Sequence, residues 1–209
     1  MLASEIIAKF ELYVDDTTEL SSSEELALLN KIYHKVCDDR PWEILKKEAS
    51  GSMTSTTSIT LPSDFSYLVE NLNYTDNSYS TENNAKPVAV RINGTSLVQV
   101  INWSDRNQYL NNAGYAYVDL ASNTLKFMGA QPSGATYAFD YKAVPTDLVL
   151  AGTPVFPARF HDILYHGMCV DDMVIQLFDK AKSYADFHQT QFNDYLKRLA
   201  LWNANLQNY

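Results

Sequence analysis

The sequence lacks the features of a secreted, membrane-spanning or DNA-gripping protein. Its two cysteines, Cys37 and Cys169, are too few for a disulfide framework and indicate a reducing compartment. No apolar run approaches the roughly 20 residues that span a bilayer. The N-terminus has no basic patch followed by an apolar stretch, so we expect no signal peptide and no membrane partner. The net charge of −9 includes no basic segment, which argues against binding DNA through its phosphates.

The motifs of well-known catalytic chemistry are also missing. There is no Gly-x-Ser-x-Gly elbow and no glycine-rich phosphate loop in the chain. Adjacent acidic pairs occur, and Asp171-Asp172 is the one that lies in an otherwise apolar turn. Neighbours on a helix point about 100° apart, so helix capping or a solvated face explains such pairs better than catalysis. We therefore expect no catalytic residue and no cofactor.

One pattern in the sequence could bind a metal ion. His34-x-x-Cys37 and His166-x-x-Cys169 each place a histidine and a cysteine on one helix face. Together the two pairs could form a tetrahedral zinc site with two cysteines and two histidines. Structural zinc sites usually lie on turns rather than inside paired helices, and buried cysteines beside half-buried histidines are the simpler interpretation. We expect no metal.

Helices are predicted for residues 1–50. Apolar residues recur at helical spacing from Ile6 to Val14. Ser22 and Glu25 have the spacing of a capping box at the start of a second helix. Pro41 can open a short third helix that runs through Leu45.

Alternating apolar residues replace helical spacing in residues 51–152, which we assign to an inserted β-domain. Asn93-Gly94, between two alternating stretches, is a strong hairpin-turn signal. The alternating residues are Val88, Val90, Ile92, Val98, Val100, Tyr115, Tyr117, Leu125, Phe127, Tyr137, Phe139 and Tyr141. Several short strands separated by turns predict an antiparallel β-sandwich or barrel.

Helical spacing returns in residues 153–203, which we assign to one long C-terminal helix or more than one. An apolar stripe runs from Phe160 to Trp202. It is too long for the short N-terminal helices to cover, so either the helix bends back near Ser183 or it packs against neighbouring subunits. The sequence therefore predicts an α+β protein, in which N- and C-terminal helices form a bundle and the β-domain is inserted between them.

Residues 204–209 are predicted to form a polar C-terminal tail. Leu206 and Tyr209 are its apolar anchors, and Trp202 lies just before it. Such a tail can order against a partner, and aromatic side chains often dominate the contacts. We predict that Trp202, Leu206 and Tyr209 dock onto a partner.

Two passages resemble the head-to-tail adaptor, connector or head-completion, proteins of tailed phages. One is Arg40-Pro41-Trp42 followed by Leu61-Pro62-Ser63-Asp64-Phe65, and the other runs from Tyr137 to His161 and into the long helix. The resemblance covers most of residues 1–203 and carries no catalytic signature. It implies a non-enzymatic virion subunit, assembled in the host cytoplasm, that forms a ring of usually twelve copies below the portal. It also implies that the β-domain faces the next tail or nozzle component and that DNA passes non-specifically through the lumen.

Three alternatives remain open at this point. The chain could be a different virion part, such as a tail-tube, tail-completion or minor capsid subunit. The aromatic β-domain would also suit a carbohydrate-binding module or an adhesin, although adhesins normally carry a secretion signal. An enzyme such as a cell-wall hydrolase would need paired carboxylates on separate strands, and residues 51–150 offer few.

Overall fold

The computed structural model describes residues 1–14, 19–69 and 88–206. The chain divides into two compact units: a helical unit, Met1–Leu45 with Pro145–Tyr209, and a β unit, Lys46–Val144. The fold is α+β with helical ends, as predicted. The first strand begins at Lys46, inside the range that we assigned to the N-terminal helices.

The helical unit contains six α-helices among the residues that the structure describes. They are α1 Ala3–Val14, α2 Ser22–Asp38, α3 Asp162–Cys169, α4 Asp172–Leu177, α5 Asp179–Ser183 and α6 Ala185–Leu206. Short 3-10 helices at Glu43–Leu45 and Ala158–Phe160 precede the β unit and α3. The apolar faces of α1, α2, α3 and α6 enclose one core, whose largest buried side chains include Trp42, Tyr33 and Phe10.

The second helix is capped one residue earlier than predicted. Ser21 is the N-cap, and its hydroxyl oxygen accepts from the backbone N–H of Glu24. The Glu24 carboxylate accepts in return from the backbone N–H of Ser21, at 2.8 Å. The prediction of Ser22 with Glu25 is wrong because the serine run gives the same spacing in two registers. In the register that forms, the Glu25 side chain is buried.

The apolar stripe from Phe160 to Trp202 is divided among four helices. Asp171 caps α4 by accepting from the backbone N–H of Met173, so the chain turns between α3 and α4. A further break separates α5 from α6 at Tyr184, close to the predicted bend at Ser183. Because α6 packs back onto α3, the helical unit covers most of the stripe itself and does not need neighbouring subunits to do so.

In the described residues of the β unit, eight strands form one curled sheet. They are β1 Lys46–Ser52, β2 Ser58–Thr60, β3 Phe65–Leu68, β4 Ala89–Ile92, β5 Ser96–Val100, β6 Tyr115–Asp119, β7 Thr124–Phe127 and β8 Thr136–Ala143. The order is β1-β8-β4-β5-β6-β7-β2, and β3 also pairs with β8. The predicted inserted sheet is present, but it is mixed, because β5 and β6 run parallel.

The predicted hairpin turn connects β4 and β5. Asn93 and Gly94 both have positive φ, at 51° and 74°, as a type I′ turn requires. The backbone N–H of Thr95 donates to the carbonyl oxygen of Ile92 and closes the turn. Val90 and Ile92 thereby face the core of the β unit.

Candidate docking surfaces

The C-terminal end of α6 combines a packed aromatic residue with an exposed aliphatic one. The ring centroids of Trp202 and Phe160 lie 5.8 Å apart. The Arg159 guanidinium lies over both rings, at 4.9 Å from Phe160 and 5.9 Å from Trp202. Trp202 is therefore half-buried against its own unit, whereas Leu206 is 38% exposed. Tyr209, the third predicted docking residue, lies outside the described residues.

Residues 204–206, which we expected to begin a non-helical tail, continue α6. Asn203 directly precedes these residues. Its side chain is buried, and its Oδ1 accepts from the backbone N–H of Glu43 at 2.7 Å. This hydrogen bond fixes the end of α6 to the short 3-10 helix before the β unit. Leu206 therefore lies on a helix whose C-terminal turn is fixed by this hydrogen bond.

Large apolar side chains also remain exposed elsewhere on the helical unit. They include Leu12, Met173, Leu177, Tyr184, Phe187 and Leu201. Leu12 and Leu201 are the most exposed of these, at 78% and 68%. Exposed apolar residues are common on soluble proteins, and it is contiguous patches of them that mark sites of protein contact.

A buried histidine pair lies between α3 and α6. The Nδ1 atoms of His166 and His188 are 2.8 Å apart, so one imidazole donates to the other. Tyr13 of α1 stands edge-on against His188, with ring centroids 4.2 Å apart. Within the described residues, Nε2 of His188 is buried without a hydrogen-bond partner. Burial, followed by the neighbouring His188 charge, lowers the pKa of His166 to about 4, and burial lowers the pKa of His188 as well.

The two His-x-x-Cys pairs have separate surroundings. Nε2 of His34 lies 2.6 Å from a carboxylate oxygen of Asp147, whereas His166 contacts His188. Both cysteines are buried, and burial raises the pKa of the Cys169 thiol to about 12. In the parts of the chain that the structure describes, no three His, Cys, Asp or Glu side chains form a group that could hold a metal ion.

The acidic pair Asp171-Asp172 serves as a helix start. In addition to capping α4, the Asp171 carboxylate accepts from the Lys31 ammonium of α2 at 2.6 Å. Asp172 is in the first turn of the same helix, where a negative charge is favourable. The pair therefore lies at the N-terminus of α4, as the helix-capping interpretation predicted.

The β unit carries a polar groove that the sequence did not reveal. Glu48 of β1 and Asp140 of β8 are directly opposite each other, and the Arg91 guanidinium of β4 donates to the Glu48 carboxylate at 2.7 Å. Burial raises the pKa of Asp140, and the Arg91 charge opposes that shift. A cavity of about 470 Å³ runs along β1, β8 and the β4–β5 turn, and Glu48, Arg91 and Tyr137 are among its lining residues.

Another cavity, of about 320 Å³, lies beside Trp103. Trp103 is 57% exposed, and the Arg106 guanidinium stacks on its ring with 3.4 Å to the centroid. The arginine therefore already covers one face of the indole, which leaves less of it for stacking on a sugar than the aromatic composition suggested.

Comparison with known families places the whole chain in one of them. Residues 1–208 match the family model described as SU10 adaptor protein. The match spans both units, and the chain belongs to the SU10 adaptor protein family, in agreement with the predicted resemblance to phage head-to-tail adaptors. A search of curated proteins finds no match. None of the helices in the described ranges has the length and apolar character of a membrane span.

Proposed function

We propose that the protein is a head-to-tail adaptor subunit of a tailed-phage particle. In this role, copies of the chain form a ring, of twelve as the resemblance implies, below the portal. The ring links the portal to the tail, and DNA passes through its lumen. The observation that carries the proposal is the adaptor-family match over residues 1–208, which includes residues of both units.

The charge of the chain suits a conduit for DNA. The net charge is −9 over 209 residues. An acidic surface repels phosphates weakly, so DNA can move past it without being held. The test is binding of linear duplex DNA at low salt. We expect no measurable complex, and a tight, salt-sensitive complex would contradict the conduit role.

We propose further that the role is structural and not enzymatic. The ionisable groups of these two clusters already bind one another: the His166 and His188 rings contact each other, and the Glu48 carboxylate accepts from Arg91. Purified protein should therefore show no turnover on cell-wall glycan, oligosaccharides or DNA with divalent metals. Turnover that a single carboxylate substitution abolishes would overturn this part of the proposal.

The C-terminal end of α6 is proposed as the element that docks on the portal. Trp202 is held against Phe160, and Leu206 beyond it is exposed. We propose that Leu206, together with Tyr209 of the sequence, makes the apolar contacts with the portal. Deleting residues 206–209 leaves the buried Asn203 in place, so the stability of the helical unit should change by no more than about 0.5 kcal/mol.

The matched control for this deletion is Leu201→Ala, which removes an exposed apolar side chain from the same helix. Portal binding should weaken about tenfold or more in the deletion variant, whereas the control should bind as the wild type does. Full portal binding after the deletion would count against docking through this end.

We propose that the ring forms only on the portal and that the isolated subunit is a monomer or a weak oligomer. Each unit encloses its own hydrophobic core, so the subunit can fold alone. The exposed apolar residues of the helical unit remain for association, but burial at about 25 cal/mol/Å² must exceed an association cost of roughly 4–15 kcal/mol. The portal lowers this cost by holding neighbouring copies side by side.

Light scattering on purified protein at micromolar concentration tests this step. We expect mostly monomer alone, and a complex of fixed stoichiometry after portal is added. A stable closed ring without portal would contradict the template role and leave the adaptor function intact. A monomer that never binds portal would contradict both.

A further inference from the structure

The strand β1 is the terminal strand of the sheet that the described residues form. It pairs with β8 over seven consecutive residues without a register shift. In the described part of the chain no second strand pairs with its other side. Most of its residues are exposed, and Ser50, Gly51 and Ser52 have small side chains.

The hydrogen-bond pattern identifies the backbone groups that face outward. The N–H of Met53 donates to the carbonyl oxygen of Ala135 at 2.8 Å, directly beyond the end of β1. Hydrogen-bonded pairs alternate with non-bonded pairs in an antiparallel ladder. Counting back from Met53, the residues that direct their N–H and C=O groups away from β8 therefore include Glu48, Ser50 and Ser52.

The other side of β8 agrees with this assignment. The carbonyl oxygen of Asp140, opposite Glu48, accepts from the N–H of Val69, and that of Thr136, opposite Ser52, accepts from the N–H of Asn93. Both carbonyl groups thus point away from β1, as residues of non-bonded pairs must. The outward direction of Glu48 and Ser52 follows from two independent sets of contacts.

Among the residues that the structure describes, nothing gives this edge the usual protection against strand pairing. Proteins cover or interrupt exposed edges with lysine, proline, bulges or packed elements. Here Lys47 is bound to the Asp64 carboxylate at 2.6 Å, and the stretch from Glu48 to Ser52 contains no proline, no lysine and no bulge. An unprotected edge of this length suits a partner that adds a strand.

The groove beside this edge indicates which side chain the added strand carries. A strand paired with β1 places alternate side chains on the face of Glu48, Ser50 and Ser52, which line the cavity of about 470 Å³. Arg91 lines the same cavity, and its side chain is 31% exposed although it binds Glu48. A carboxylate or a side-chain amide oxygen can accept from the N–H groups of an arginine guanidinium.

We propose that the outer edge of β1 receives an extended segment of the adjoining tail component, which adds a strand to the sheet. The segment carries an Asp, Glu, Asn or Gln side chain that enters the groove at Arg91. This inference rests on the proposed adaptor function and specifies how the β unit contacts the tail. A second copy of this chain is less suitable, because antiparallel pairing of β1 with itself makes a closed twofold dimer rather than a ring contact.

The variant Ser50→Pro tests the strand pairing. Proline removes the outward N–H of Ser50 and is tolerated on an edge strand where that N–H faces solvent, so the ladder to β8 stays intact. The control Ser50→Thr keeps the N–H. Each variant is bound to purified portal and then mixed with tails purified from the same phage. We expect Ser50→Pro to bind portal normally and tails about tenfold more weakly or worse, and Ser50→Thr to match the wild type.

Residue-resolved hydrogen exchange on the wild-type portal–adaptor complex, with and without tails, provides the second readout. Tails should protect the amides of Glu48, Ser50 and Ser52, whereas the amides of Ala49 and Gly51, already bonded to β8, should change little. If tails bind without this alternating gain, or if Ser50→Pro binds them fully, the inference is overturned and the adaptor function stands. Protection of the three amides by self-association overturns it in favour of a second copy. Failure of the wild type to bind portal overturns both.

Discussion

Acidification should weaken the helical unit through the buried pair His166–His188. Both imidazoles are almost fully buried and contact each other through their Nδ1 atoms. The pKa of His166 is lowered to about 4, mainly by burial and then by His188, with Lys9 acting in the same direction and Asp162 against it. His166 therefore binds a proton at a lower pH in the folded protein than in the unfolded chain, where the ordinary histidine pKa of about 6.5 applies.

The sign and size of the effect follow from linkage. A base with a lowered folded pKa contributes stability that is fully present above the unfolded value and is lost as the pH falls toward the folded value. For His166 alone, the free energy of unfolding should fall by about 2 kcal/mol between neutral pH and about pH 5. His188 shifts in the same direction and adds to the loss.

The assay is urea denaturation of the wild type and of the double variant His166→Gln, His188→Gln, from about pH 7.5 to about pH 5. The double variant loses the histidine contact and is less stable at neutral pH, but the measured quantity is the slope of stability against pH. His161, whose pKa burial also lowers, contributes equally to both proteins. Equal slopes would refute the assignment of acid sensitivity to this pair.

Three further predictions concern packing, capping and metal content. In Gly167→Ala, the new Cβ would overlap Ile32 Cγ2 and lie 3.0 Å from Phe192 Cε2. We expect chemical denaturation to show a free energy of unfolding lower by about 1–3 kcal/mol, despite the gain of about 1 kcal/mol in helix propensity. Unchanged stability would contradict the tight contact. Asn203→Ala removes the side-chain oxygen that accepts from the backbone N–H of Glu43 and should cost about 1–3 kcal/mol in the same assay, whereas a neutral result would contradict a stabilising role for this hydrogen bond. Elemental analysis of protein purified without chelator should find no stoichiometric zinc, and one zinc per chain would contradict that expectation.

The sequence allowed prediction where local patterns and packing agree. The helical spacing from Ile6 to Val14 predicts both α1 and its buried face, and the Asn93-Gly94 pair predicts the turn between β4 and β5. The adaptor resemblance was likewise carried by residues in both units, and the family match confirms it.

Other features depended on contacts that no local pattern encodes. Strand β1 has the sequence of a polar loop because both its faces and its outer edge are largely exposed, so alternation is absent. In β6, the alternating Tyr115 and Tyr117 are only half-buried, and the residue that faces the core is Ala116 between them. The alternation of the tyrosines therefore indicates a strand but marks the face opposite to the core. The buried Asn203 could not be distinguished from a polar tail residue, because its partner is a backbone N–H far away in the chain.

The most direct test of the adaptor function is cryo-electron microscopy of the portal vertex in virions of the phage that encodes this chain. The account predicts density for both the helical unit and the β unit, repeated around the axis between the portal and the first tail component, with an open channel at the centre. Density that places the chain in the capsid shell, in the tail tube or outside the particle would contradict it.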